Sequence, residues 1–151
     1  HIIHRPSSIR HSQMPSPSIN FAQLVLIVLA FAAAFVVLRP LLFGGRRVGA
    51  AEASQRVAAG TAVLIDVREP GEWRSGVAAP AQLLAFSDLN GDRRQWAPFL
   101  AAHKDKELIL YCASGLRSGQ AVIRLKKEGL NATNLGGLRR WTSAGLPTRK
   151  P

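Results

Sequence analysis

The chain has 151 residues, room for one domain of ordinary size once any tail or anchor is set aside. Lys and Arg number 20 against 9 Asp and Glu, and only Arg5, Arg10 and Arg39 of the basic residues precede Gly44. That excess attracts nucleic acid, anionic lipid or small anions, but no helix-turn-helix pattern, zinc spacing or aromatic stacking motif accompanies it, which argues against a nucleic-acid partner; Cys112, the single cysteine, excludes an internal disulfide and leaves no second thiol for a metal site or redox pair.

Residues 1–20 are polar and rich in Ser and Pro, lack any periodicity that would bury a face, and read as a disordered tail. With His at position 1, Met14 is a candidate initiator and residues 1–13 a candidate non-native segment. From Phe21 to Leu38 the chain has one polar residue, Gln23, and no charge. At about 1.5 Å per residue this stretch, extended to Phe43, crosses a hydrocarbon layer of roughly 30 Å, so 21–43 reads as a transmembrane helix and the membrane as a partner. A buried core helix so uniformly apolar is unusual in a small protein. A secretory signal would need a basic start and a small-residue cleavage site, and "LRPLLFGGRR" supplies no convincing one, so the anchor is expected to stay. Arg39, Arg46 and Arg47 follow the span, whereas no Lys or Arg lies between Met14 and Phe21. The positive-inside rule then predicts a single-pass protein of the bacterial inner membrane with its C-terminal domain in the cytoplasm. Residues 44–49 form a short tether, and 50–148 the domain.

Within that domain apolar and amphipathic segments alternate. "GAAEASQRVAAG" reads as a helix closed by Gly60, and "AVLIDV" (62–67) as a strand buried on both faces. "EPGEWRSG" is a turn or one short helix. A weak strand near "QLLAF" precedes a helix in "GDRRQWAPFLAAH". "ELILYC" is a second buried strand, "SGQAVIRLKKEGL" an amphipathic helix, "ATNL" a short strand and "GGLRRWTSAGLP" a closing turn and helix. The alternation predicts an α/β fold with a small parallel sheet.

In such a sheet, ligand sites form where strands end and loops lead into helix N-termini. Cys112 falls at such an end. Gly115 lies in the short loop after it, and Ser118 stands where an N-cap would satisfy free amides. Backbone N–H groups curling round a point, added to the helix dipole, make an anion cradle that lowers a thiol's pKa. Arg117 adds a fixed positive charge at the rim. The alternative is a small buried hydrophobe ending a strand; the loop glycine, Arg117 and Ser118 together favour a nucleophile whose sulfur lies exposed on the floor of the amide ring.

These residues carry a resemblance. "ILYCASGLRSGQ" followed by "NLGGLRRWTSAGLP" resembles the rhodanese (thiosulfate sulfurtransferase) domain, whose active stretch reads Cys-x-x-Gly-x-Arg-Ser and whose C-terminal signature is Gly-Gly, then Trp, Gly and Pro. Gly136, Gly137, Trp141, Gly145 and Pro147 match the latter, and Asp66, Arg68, Glu69 and Trp73 of "VLIDVREPGEW" match the domain's first signature. The likeness spans about residues 48–148. With the anchor, the chain is similar to membrane-tethered single-domain rhodaneses of bacteria. The resemblance implies that Cys112 carries sulfane sulfur as a persulfide, taken from a small anionic donor such as thiosulfate and passed to a thiol or protein acceptor. It implies no metal and no cofactor. The amides of Ala113, Ser114, Gly115, Leu116 and Arg117 would stabilise the persulfide, with Ser118 beside them; the Arg117 side chain would bind the donor, and Asp66 and Arg68 would support the site structurally. Related dual-specificity phosphatases place five residues between Cys and Arg; here there are four, Ala113 to Leu116, a ring better suited to sulfur than to phosphate.

Val77 and Pro80 depart from the family's usual Gly-His-Ile-x-Gly-Ala, which leaves the local turn and the next strand open. Trp73, Trp96 and Trp141 read as packing aromatics, His103 as a helix-end residue, "RLKKEG" as a solvated face, and Arg149 with Lys150 as a basic tail. Two functions follow: a sulfurtransferase, or a catalytically weak, membrane-tethered interaction module that keeps the fold.

Overall fold

A computed structural model describes residues 20–42 and 47–151. The proposed tail, residues 1–19, and residues 43–46 of the anchor's end and tether lie outside the described residues. Helix α1 spans Phe21–Leu42, most of it in the first of two compact units. It is the helix among the described residues that is long and apolar enough to cross a membrane: its window Phe21–Leu38 has a mean hydropathy of 2.8 and none of it is buried. Such a helix serves as a span or as a signal sequence.

The second unit runs α2 (Ala50–Ala58), β1 (Ala62–Asp66), α3 (Pro70–Trp73), β2 (Val77–Ala78), β3 (Gln82–Leu83), α4 (Phe86–Asn90), α5 (Trp96–Ala102) and β4 (Glu107–Cys112). It continues through α6 (Leu116–Lys127), β5 (Ala132–Gly137), α7 (Leu138–Ser143) and β6 (Thr148–Arg149). Strands β3, β1, β4 and β5 form a parallel sheet in that order, as the alternation predicts. Period-two alternation divides β4 between two cores. Leu108, Leu110 and Cys112 join Val122 and Leu125 of α6 and Trp96 of α5, while Ile109 and Tyr111 join Ala53 of α2 and Trp141 of α7. Helices cover both faces of the sheet, which is why its strands are continuous apolar runs.

The structure differs from the sequence reading at three places. Helix α6 starts at Leu116, because Gly115 at φ 97° turns the chain into it early. Ser118 therefore caps nothing; it is buried inside the first turn. The segment left open by Val77 and Pro80 does hold its turn. Val77 and Ala78 are buried in β2, which pairs antiparallel with β6, and β3 follows. The partner strand comes from the supposed basic tail. Arg149 donates from Nε and Nη2 to the carbonyls of Ala79 and Ala81, both at 3.0 Å, and Lys150 donates to the Arg74 carbonyl.

Candidate active site

Cys112 ends β4 beside Gly137 of β5. The left-handed turn at Gly115 aims its N–H back at the strand end, 3.1 Å from Cys112 Sγ. The Ser118 hydroxyl lies 3.6 Å from the same sulfur. Burial, the largest single influence, pushes the thiol up. Hydrogen bonds from the Ser118 amide and hydroxyl and from the Gly115 and Ser114 amides together outweigh it, and the pKa falls below its ordinary value. Of the five amides expected to cradle the sulfur, those of Ser114 and Gly115 are among these donors, and the Ser118 amide and hydroxyl join them.

One expectation is corrected. Cys112 is 1% exposed, so its sulfur does not lie open to solvent. The loop folds over it because α6 begins early and β5 presses in from the side. Ala113, Ser114 and Leu116 are themselves exposed, so the cover is one loop thick.

The close approach of β5 to the active loop requires glycine on both sides of the contact. A Cβ on Gly137 would stand 2.5 Å from the Ala113 carbonyl oxygen, and one on Gly115 would stand 2.9 Å from Gly136 Cα. Both are well inside contact distance with backbone that has no room to retreat. A register shift opposite Leu110 and Tyr111 brings Gly136 and Gly137 level with Tyr111 and Cys112. Asn134, one turn of pleat earlier and fully buried, stitches the pieces together. Its Oδ1 accepts from the Ser118 hydroxyl and the Gly136 N–H, both at 2.8 Å, and its Nδ2 donates to the Gly115 carbonyl at 3.0 Å. Sequence reasoning passed over Asn134; an amide inside a strand otherwise buried, two residues before a Gly-Gly pair, is the signal that points to it.

The Arg117 side chain, expected to be a donor-binding cation at the rim, is engaged by an acidic partner. Its Nη1 and Nη2 each donate to Glu72 at 2.7 Å, a fork-to-fork pair. The hydrogen bonds from Arg117 are the largest influence on Glu72 and hold its carboxyl down to about 2. Glu72 also accepts the Glu69 N–H, closing a capping box on α3. Asp66 and Arg68 form a second, buried pair. Arg68 reaches Asp66 through Nε and Nη2, at 3.0 and 2.7 Å, and its remaining donors take the carbonyls of Glu72 and Gly76. Neither residue touches the sulfur; together they fix the loop that carries Glu72.

The arrangement is a thiol with its negative form favoured, under a loop of amides. Comparison with known proteins finds a matching family. The family model for the Rhodanese-like domain matches residues 49–144. A Synechocystis sp. protein is 39% identical over 90 residues, 58% of this chain and 47% of its own length. The thiosulfate:glutathione sulfurtransferase of Saccharomyces cerevisiae is 36% identical over 95 residues, 55% of this chain and 66% of the relative. The chain thus spans about half the length of the first and two thirds of the second. A solved rhodanese-related protein from Thermoplasma volcanium matches with a TM-score of 0.59 and 32% identity, over 70% of this chain and 99% of that one.

Proposed function

The chain belongs to the rhodanese-like family, and from that premise we propose that it is a sulfurtransferase working through Cys112. The family relationship supports sulfur transfer in general, and the observation that carries the specific reading is the Gly115 N–H held 3.1 Å from Sγ by a left-handed turn. The Cys112 thiolate attacks the outer sulfur of a donor such as thiosulfate. A new S–S bond forms as the donor's S–S bond breaks, and sulfite leaves with that electron pair. The persulfide carries the negative charge on its outer sulfur, where loop N–H groups are available to it. An acceptor thiolate then attacks that sulfur, and Cys112 leaves as the thiolate it began as. In this reading the Arg117 side chain faces the donor once the anion competes with Glu72. Asp66 and Arg68 act only by holding the neighbouring loop.

The likeness to the thiosulfate:glutathione sulfurtransferase supports thiosulfate as donor and a small thiol as acceptor. The apolar helix supports residence in a bacterial inner membrane, and the arginines after it support a cytoplasmic domain. In right-side-out spheroplasts the domain is expected to resist added protease; cleavage from outside would overturn that placement.

The near-complete burial of Cys112 favours the second reading, a tethered interaction module. Whole-protein mass after thiosulfate treatment separates the two. Transfer predicts a gain of one sulfur on the wild type and none on Cys112→Ala. No gain on either leaves the module.

A further inference from the structure

We propose that Asn134 is a positioning residue for sulfur transfer: its side-chain oxygen holds the Ser118 hydroxyl proton away from Cys112 while the sulfur is neutral and yields it when the sulfur becomes charged. This deepens the sulfur-transfer reading and rests on it for the reaction cycle alone.

A serine hydroxyl has one proton, and three acceptors among the described residues lie within reach of that of Ser118. Asn134 Oδ1 is 2.8 Å from Ser118 Oγ, the Gly136 carbonyl oxygen 3.4 Å and Cys112 Sγ 3.6 Å. Backbone groups fix which way the amide points. The Gly136 N–H, 2.8 Å from one end of it, can meet only an oxygen, and the Gly115 carbonyl, 3.0 Å from the other end, can meet only the NH2 group. The atom facing Ser118 is therefore the oxygen, and the hydroxyl is the donor. Asn134 thus takes the shortest of the three bonds, and a neutral sulfur leaves the proton there.

Charge on the sulfur reverses that preference, because a hydrogen bond to an ionised acceptor is about twice as strong as one between neutral groups. Ser118 lies buried in the first turn of α6, so its oxygen stays in place and rotation of the hydroxyl is enough. Nor is Asn134 Oδ1 left bare, since it keeps the Gly136 N–H. During transfer the Cys112 thiolate attacks the donor's outer sulfur, its lone pair becomes the new S–S bond, and the persulfide's negative charge resides on the outer sulfur. Sγ is then neutral and the proton returns to Asn134. When an acceptor thiolate takes the outer sulfur, Cys112 leaves with the bonding pair and the hydroxyl turns back to it. Ser118 so assists the nucleophile and the leaving group, and Asn134 withdraws it in between.

The test uses the full chain in neutral detergent and reads Cys112 ionisation, which needs no sulfur donor. Arg117 is the ionised side chain whose charge meets that of Cys112, and with its partner Glu72 it keeps its charge through the range titrated. The midpoint therefore belongs to the sulfur. Asn134→Leu removes the competing acceptor, so the midpoint of iodoacetamide alkylation should fall and the rate well below it should rise about three- to tenfold. In a Ser118→Ala background the same substitution should change that rate by no more than about twofold. A merely structural Asn134 predicts the opposite sign, since a loosened loop gives fewer hydrogen bonds to the thiolate. Should Asn134→Leu fail to fold, the wild type supplies a second reading. With isotope-labelled asparagine, the Asn134 side-chain resonances should shift with the Cys112 titration, about twice as far or more as in Ser118→Ala. After thiosulfate treatment they should return to their low-pH position in the persulfide form. A midpoint that stays or rises in Asn134→Leu overturns the proposal, as does an undiminished effect of that substitution in Ser118→Ala. So do resonances that move equally with and without the hydroxyl, or that keep their high-pH position in a persulfide verified by mass. No sulfur uptake by a wild type that meets both ionisation expectations would instead overturn sulfur transfer and leave the hydroxyl switch standing.

Discussion

The loops after β1 and after β4 leave neighbouring parallel strands at the same level, with Asp66 opposite Tyr111, yet they are built to opposite ends. The first wraps its backbone round a guanidinium. Arg68 fills the turn, paired with a fully buried Asp66 and donating to two carbonyls. The second turns its backbone N–H groups inward round a sulfur. A guanidinium never gives up its proton at working pH, so the first loop has one electrostatic state and is rigid. A thiol does, so the second loop's hydrogen bonds strengthen as charge appears on the sulfur, which is the property a nucleophile needs. Topology supplies both positions, and what sits at the centre of each decides between stability and chemistry.

The comparison breaks most visibly at the first loop. Asp66→Ala leaves the Arg68 charge buried without its partner, and removing one half of such a pair costs about 3–5 kcal/mol. Denaturant unfolding of the domain measures it, and a loss below about 1 kcal/mol would mean that the loop after β1 is not held as argued. Next in size is Gly137→Ala. This residue has no positive φ, so the whole effect is the collision with the Ala113 carbonyl, an overpacking of about 1–3 kcal/mol. Because the displaced atoms belong to the active loop, persulfide yield should fall further than stability alone explains. Ser118→Ala then separates the loops by chemistry. It removes one of the hydrogen bonds that lower the Cys112 pKa, so the pKa should rise and alkylation at neutral pH should slow. A pH–rate profile that does not move would show the amides acting without the hydroxyl.

Much of this contrast was legible in the sequence. "AVLIDV" and "ELILYC" are runs of apolar residues too short for buried helices, and their ends place Asp66 and Cys112 at the site. The loop glycine before an amphipathic segment gave the cradle. What stayed hidden depends on contacts between segments distant in sequence. Local pattern marks Ser118 as a cap; only the early start of α6 turns it inward. Asn134 reads as one polar residue in "ATNLGG", and its side-chain bonds to Ser118 and Gly115 exist only once β5 lies beside the active loop. The burial of Cys112 has the same cause, since the glycines that permit close packing carry no side chain to announce it. Arg149 looked like a basic tail because a two-residue strand has no periodicity to detect.

The smallest effect belongs to the pair that joins the two loops. Glu72 lies in α3 after the first, Arg117 in the first turn of α6 after the second, and each side chain is about one third exposed, at 36% and 29%. Solvent screening limits such a pair to about 1 kcal/mol or less. The Glu72 carboxyl is depressed to about 2 from an unperturbed 4.5, so its contribution is complete above pH 4.5 and disappears as pH falls through 2. Glu72→Gln keeps an oxygen for the Glu69 N–H while removing the charge, so the cap survives and only the ion pair is lost. Unfolding free energies of wild type and Glu72→Gln should therefore differ by up to about 1 kcal/mol at neutral pH and converge toward pH 2. Added salt at neutral pH should narrow the gap as well. A difference that ignores both pH and salt would assign the effect to packing at the rim and leave the two loops electrostatically independent.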